Sequence, residues 1–91
     1  MIYGETTHTD GTAIINVTWP QRGLFYVSGF TEAGDTVNVY VWDDCCDDAI
    51  DSTLEWVGEE GSDDSGLSVT EITRDLYTEI KAVTDVHNEK E

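Results

Sequence analysis

The sequence predicts an α+β domain: a four-stranded antiparallel sheet, laid out as a meander, followed by an antiparallel helix pair packed on one face. Three observations predict it. Through the first half of the chain apolar residues alternate with a period of two, and Asp-Gly, Pro-x-x-Gly and Glu-Ala-Gly-Asp turns divide the run. After Asp43 the apolar spacing changes to threes and fours. At 91 residues the chain suits one domain, 1–91, with residues 1–42 as its sheet half and 43–91 as its helical half.

The first strand is expected over Ile2 to His8. Thr9-Asp10-Gly11-Thr12 follows, and Asp-Gly reads as a two-residue hairpin loop in which both central residues take positive φ. Ala13 to Trp19 forms the second strand, with Ile15, Val17 and Trp19 on one face and Ile14, Asn16 and Thr18 on the other. Pro20-Gln21-Arg22-Gly23 is a turn, because Pro presets φ and Gly frees the exit. Leu24 to Phe30 is the third strand, and Glu32-Ala33-Gly34-Asp35 closes the next hairpin. Thr36 to Trp42 is the fourth, with Val37, Val39 and Val41 opposed to Asn38, Tyr40 and Trp42.

From Cys46 the apolar set Cys46, Ala49, Ile50, Leu54 and Val57 marks the first helix. Asp43 or Asp44 caps its start, early acids suit the positive end of the dipole, and Gly58 or Gly61 ends it. Trp56 falls off the stripe and is either wedged at the helix edge or exposed, the edge being favoured. Gly61 to Gly66 is a loop by composition. Ser68-Val69-Thr70-Glu71 reads as a capping box, with Leu67 and Ile72 as its hydrophobic staple. The second helix then carries Val69, Ile72, Leu76, Ile80 and Val83 and runs to about Val86.

The strands offer two apolar faces. Ile15, Val17, Phe25, Val27, Val37, Val39 and Val41 form one, and Ile14, Leu24, Tyr26, Tyr40 and Trp42 the other. The valine-rich set is expected under the helices. The aromatic set is then partly exposed, so Tyr26, Tyr40 and Trp42, with Trp56, are candidate interface anchors and a surface for a homodimer.

The charge is the most specific signal. The formal net is −16. Residues 1–42 hold four acids and one base, a net of −3; residues 43–91 hold sixteen acids and three bases, a net of −13. Between Asp43 and Asp64 stand ten carboxylates and no Lys or Arg: Asp43, Asp44, Asp47, Asp48, Asp51, Glu55, Glu59, Glu60, Asp63 and Asp64. This balance argues against direct binding of nucleic acid or an anionic membrane, both of which need a basic surface. Crowded like charge destabilises a compact state, and a positively charged partner would offset that cost. Asp44, Asp48, Asp51, Glu55 and Glu59 recur at helical spacing, and Glu71, Asp75 and Glu79 recur at i, i+4 on the second helix. Two such rows on a helix hairpin, in steps of roughly 5–6 Å, would imitate the phosphate rows of DNA.

Enzymatic and metal chemistry find no foothold. No Ser-His-Asp or Cys-His signature, dinucleotide fingerprint or P-loop is present, and solvated carboxylates do not give the separated pKa values that acid–base catalysis needs. The only cysteines, Cys45 and Cys46, are adjacent and lack zinc-ligand spacing, and the Glu59 to Asp64 loop lacks EF-hand order. No cofactor and no metal are expected. The N-terminus shows no leader pattern and no run approaches the ~20 apolar residues of a membrane span, so a cytoplasmic location is expected.

In size, acidity and acid-coated helices the chain resembles the small acidic phage proteins that imitate DNA, the anti-restriction and anti-CRISPR inhibitors and the uracil-DNA glycosylase inhibitors. Asp63-Asp64-Ser65-Gly66-Leu67 leading into a helix is similar to a stretch of the T7-like phage anti-restriction mimics. Those are mostly helical, whereas this chain begins with strands. The resemblance implies a non-enzymatic inhibitor, working in the host cytoplasm, that blocks the basic groove of a nuclease or CRISPR effector; it carries over no catalytic residue. The alternative is an acidic structural or adaptor protein of a salt-loving host or its virus, since abundant Asp, Glu, Thr and Val with few Lys also fits that origin.

Overall fold

The computed structural model describes residues 4–18 and 23–89. Its elements are β1 (Glu5–Thr7), β2 (Ala13–Ile15), β3 (Gly23–Phe30), β4 (Thr36–Asp43), α1 (Cys46–Val57), β5 (Leu67–Glu71) and α2 (Arg74–Glu89). The strands form one sheet in the order β1-β2-β4-β3-β5. All pairs are antiparallel except β2 with β4, which runs parallel from Ala13↔Val39 to Ile15↔Val41. The sheet is therefore mixed and five-stranded, not a four-stranded antiparallel meander, and its helices lie on opposite faces instead of pairing on one.

The β1–β2 hairpin forms, but with a longer loop than two residues. His8 N–H donates to Thr12 O at 2.9 Å, and only Gly11 takes positive φ, at 91°. That is the wider hairpin in which glycine supplies the single left-handed residue. β2 stops at Ile15 because Asn16 turns left-handed, φ 64°; Asn is among the few residues that tolerate this region. The turn breaks the alternation, so Val17 joins the cluster of Ile14 and not that of Ile15. β2 does not pair with β3: β4 lies between them. Ile14 and Ile15 are both fully buried, as an inner strand covered on two faces requires. Trp19 and the turn at Pro20 to Arg22, like the first residues of the expected opening strand, lie outside the described residues.

The β3–β4 hairpin matches its sequence pattern. Gly34 takes φ 93°, and Thr31 closes the loop: its N–H donates to Asp35 O at 2.9 Å, and its hydroxyl oxygen accepts from Asp35 N–H at 3.0 Å. On β4 the alternation sends Val37, Val39 and Val41 to one face and Tyr40 and Trp42 to the other. Ala49 of α1 seals the valine face together with Ile15, Phe25 and Val27, and Trp56, Val57, Leu67 and Val69 pack around it. Ile80 of α2 seals the aromatic face with Ile14, Val17, Leu24, Tyr40 and Trp42.

The expected capping box is a strand. Leu67 to Glu71 alternates, contains β-branched Val69 and Thr70, and pairs with β3 from Gly29↔Leu67 to Phe25↔Glu71. A Ser-x-x-Glu spacing is a local signal; a full ladder on the open edge of β3 satisfies more backbone groups than one cap. The Asp63–Leu67 stretch accordingly leads into β5 and not into a helix. The stripe Ile72, Leu76, Ile80 and Val83 survives, but α2 starts only at Arg74. It covers the aromatic face because burying one such ring's ~150–250 Å² contributes about 4–6 kcal/mol before entropy, at ~25 cal/mol per Å².

Candidate charged interaction face

β4 ends on Asp43, which is buried rather than displayed. Its Oδ2 accepts from Ser52 Oγ at 2.5 Å and from Asn16 Nδ2 at 3.3 Å, and its Oδ1 accepts from Asp44 N–H at 3.0 Å. Asp43 thus ties β4, the Asn16 turn and α1 together, and it belongs to the scaffold rather than to a partner surface. Nor does Asp43 or Asp44 cap α1: the N-cap is Cys45, with no side-chain cap bond. The C-terminus follows expectation, with Gly58 left-handed at φ 85° and the last carbonyls taken by Gly58 and Glu59 N–H groups.

The other nine acids of this run reach the surface. Asp44 is exposed just before α1 and Asp47, Asp48 and Asp51 are exposed along it, while Ala49, Ser52, Thr53 and Leu54 form its buried side. Cys46, expected in the stripe, is exposed, and Ser52 and Thr53 take buried places because they have bonds to make: Ser52 to Asp43, and Thr53 Oγ1 to Ala49 O at 2.8 Å. Glu55 and Glu59 are half-buried; Glu60, Asp63 and Asp64 are exposed on the loop beyond. The loop is anchored on the β3–β4 hairpin, where Glu59 Oε1 accepts from Ala33 N–H at 3.2 Å and Glu32 Oε2 accepts from Asp63 N–H at 3.1 Å. Between helix and loop lies a depression of about 430 Å³ lined by Asp51, Leu54, Glu55, Glu60, Gly61 and Ser62. Three of its six lining residues are carboxylates, and Leu54 is the one large apolar side chain among them.

Two acids of this face escaped the sequence reading. Glu5 accepts from Trp56 Nε1 at 2.9 Å, and Glu32 holds the loop at Asp63. They are separated in sequence from those partners by 51 and 31 residues, so no local pattern could have grouped them.

The second expected carboxylate row does not join the first. Glu71 lies on β5, so the i, i+4 series is broken, and Asp75 and Glu79 lie on α2 across the sheet from α1. Glu79 is engaged structurally: its Oε1 meets Nε2 of buried His8 at 3.0 Å. The same imidazole approaches Asp10 Oδ1 with Nδ1 at 3.3 Å and stands edge-on to Tyr40. The Thr12 amide, 2.8 Å away, and then the Thr12 hydroxyl hold the Asp10 carboxyl below its ordinary range. Burial pushes the Tyr40 phenol up, and the charges of Asp10, Tyr26 and Glu79 add to the effect.

The aromatic candidates are mostly core. Tyr40 is 7% and Trp42 2% exposed under α2. Trp42 Nε1 donates to Thr84 Oγ1 at 3.0 Å, and its ring meets Tyr77 edge-on at 5.3 Å. Tyr26 is half-buried with its hydroxyl on Asn38 Oδ1, and Trp56 is half-buried against the valine cluster. With α1 on one face and α2 on the other, Tyr40 and Trp42 lie under α2 and not on an open sheet face.

Among the described residues no group of three or more His, Cys, Asp or Glu is placed to hold a metal ion, and no helix is long and apolar enough to cross a membrane. Cys45 and Cys46 are both exposed free thiols. Comparison with known proteins finds no matching family model, no significantly similar curated protein and no significantly similar solved structure.

Proposed function

We propose that the protein is a non-enzymatic inhibitor that occupies the basic nucleic-acid-binding groove of a host defence or DNA-processing protein, of the phage-encoded anti-CRISPR or anti-restriction type. The observation that carries the reading is the ten-to-zero excess of acids over bases in residues 43–64, nine of those acids at the surface. Glu5 and Glu32, brought in from the sheet half, enlarge the same face. The twelve residues of α1 extend roughly 18 Å at ~1.5 Å per residue, the length of about five phosphate steps of ~3.4 Å. One helix and its loop are the mimicking unit; the paired rows of a helix hairpin are not part of it. Such a face steers a basic partner from a distance and competes with the nucleic acid for its counter-charges.

The test is inhibition of a panel of purified restriction nucleases and CRISPR effectors, with duplex DNA as competitor. The double reversal Asp48→Lys, Asp51→Lys should abolish inhibition, since both side chains are exposed and point away from Ala49 and Leu54. An equal reversal on the other face, Asp75→Lys with Glu89→Lys, should leave it intact. Equal loss from both pairs would mean that net charge alone is read, and no inhibition by the wild type across the panel would remove the proposal.

The rival, an acidic protein adapted to high salt, draws support from the exposed acids on the opposite face, Asp75, Glu79, Asp85 and Glu89. It requires screening to fold. A cooperative melt at about 0.15 M salt supports the inhibitor, and folding only near molar salt supports the rival.

A further inference from the structure

Among the described residues α2 outruns the sheet that supports it. Its apolar stripe continues from Ile80 through Val83 to Val86, but the strand facing those last turns is β1, three polar residues long. Thr6 pairs with Ile14 and so shares the face under α2; it cannot cover two valines. The result is an open apolar groove of about 370 Å³ lined by Thr6, Ala82, Val83, Val86 and His87. Val86 is 52% exposed, and Phe30 is the other large apolar side chain so displayed among the described residues.

We infer that this groove docks an amphipathic helix of a partner protein that carries large apolar anchors flanked by Lys or Arg. The groove's volume lies at the low end of the range for ligand sites and, being open, suits one or two anchoring side chains on a helix. Charge selects a cationic flank. Glu79, 58% exposed, stands one helical turn before Val83, and exposed Glu89 stands one turn after Val86. Lys81 and Asp85 neutralise each other at 3.0 Å. A second copy is disfavoured because it would bring −16 against −16. The groove lies across the sheet from α1, so this docking stands independently of the inhibitory face.

The probe is a short fluorescein-labelled peptide with leucines at i, i+3, i+4 and i+7 and lysines elsewhere; its comparator has the same composition scrambled. At about 0.15 M salt the amphipathic peptide should bind about tenfold more tightly than the scrambled one. Amide shifts should centre on Thr6, Ala82, Val83 and Val86. Val86→Asp should remove the preference with an unchanged melt, and Val86→Ser serves if that variant fails to fold. The α1 reversal Asp48→Lys, Asp51→Lys should keep the preference, so failure here and failure of the inhibitor reading are read separately. Equal binding of both peptides, or shifts confined to residues 44–64, would overturn the inference. So would self-association that Val86→Asp abolishes, or peptide binding that appears only once residues 1–3 are removed.

Discussion

Ile80→Ala is the sharpest test of the three-layer arrangement. Ile80 is fully buried and is the α2 residue at the centre of the aromatic cluster, against Ile14, Tyr40 and Trp42. Truncating a buried Ile to Ala costs about 2–5 kcal/mol, and more where the walls cannot collapse. Ile14, Tyr40 and Trp42 stand on inner strands of the sheet, and Trp42 is further held by Thr84, so the cavity can close only by movement of α2. We expect ~3–4 kcal/mol, a large part of the roughly 5–14 kcal/mol that a domain of this length commands. The melting temperature should drop by roughly 12–30 °C. The assay is urea unfolding followed by tryptophan fluorescence, with the near-ultraviolet circular dichroism of the Trp42–Tyr77 edge contact as a local reporter. Val86→Ala, at an exposed position, is the control and should stay within about 0.5 kcal/mol. An Ile80→Ala loss below ~1 kcal/mol would show that α2 does not cover the aromatic face.

Ser52→Ala removes a donor from buried Asp43 and should cost about 1–3 kcal/mol in the same denaturation assay; a neutral result would mean that water replaces the hydroxyl. Hydrogen exchange separates the strand Leu67–Glu71 from a capped helix: the ladder phase set by Phe30 N–H to Gly66 O and Ile72 N–H to Leu24 O leaves the Ser68, Thr70 and Ile72 amides protected, with Val69 and Glu71 exchanging fast. Gly29→Ala should unfasten the start of that ladder, because Gly29 takes φ 129° and a Cβ there would meet the Gly66 carbonyl; thermal melts should show a loss, and an unchanged melt would refute the close approach. The pH limbs have opposite signs. The folded Asp10 value is lowered, so its contribution is present above the ordinary 3.8 and lost as pH falls through the folded value; the folded Tyr40 value is raised, so its contribution is intact below the ordinary 10.0 and lost as pH rises through the folded value. Melts of Asp10→Asn and Tyr40→Phe should flatten the acid and alkaline limbs respectively, and limbs unchanged from wild type would contradict the assignments.

Local chemistry determined a good part of this molecule. The strand alternation of Leu24 to Phe30 and Thr36 to Trp42, the Gly34 hairpin, the helix end at Gly58, one of its two candidate glycines, and the stripe Leu76, Ile80 and Val83 are all properties of short windows, and each stands in the structure as its window implies. The surface position of the α1 acids is legible for the same reason, since a helix separates its faces by spacing alone. What tertiary structure decided is everything that depends on a partner far along the chain. Leu67 to Glu71 satisfies a capping motif and a strand pattern equally well, and only the open edge of β3 chose the strand. Asp43 looks like one more surface acid until Asn16 and Ser52 fold around it. Glu5 and Glu32 gain their places on the acidic face through single long-range bonds. The two apolar faces were readable, but not that each receives its own helix, because side-chain period tells which residues share a face and is silent on what covers it. Burying the second face under α2 removes Tyr40 and Trp42 from water, and that gain is available only once the sheet exists.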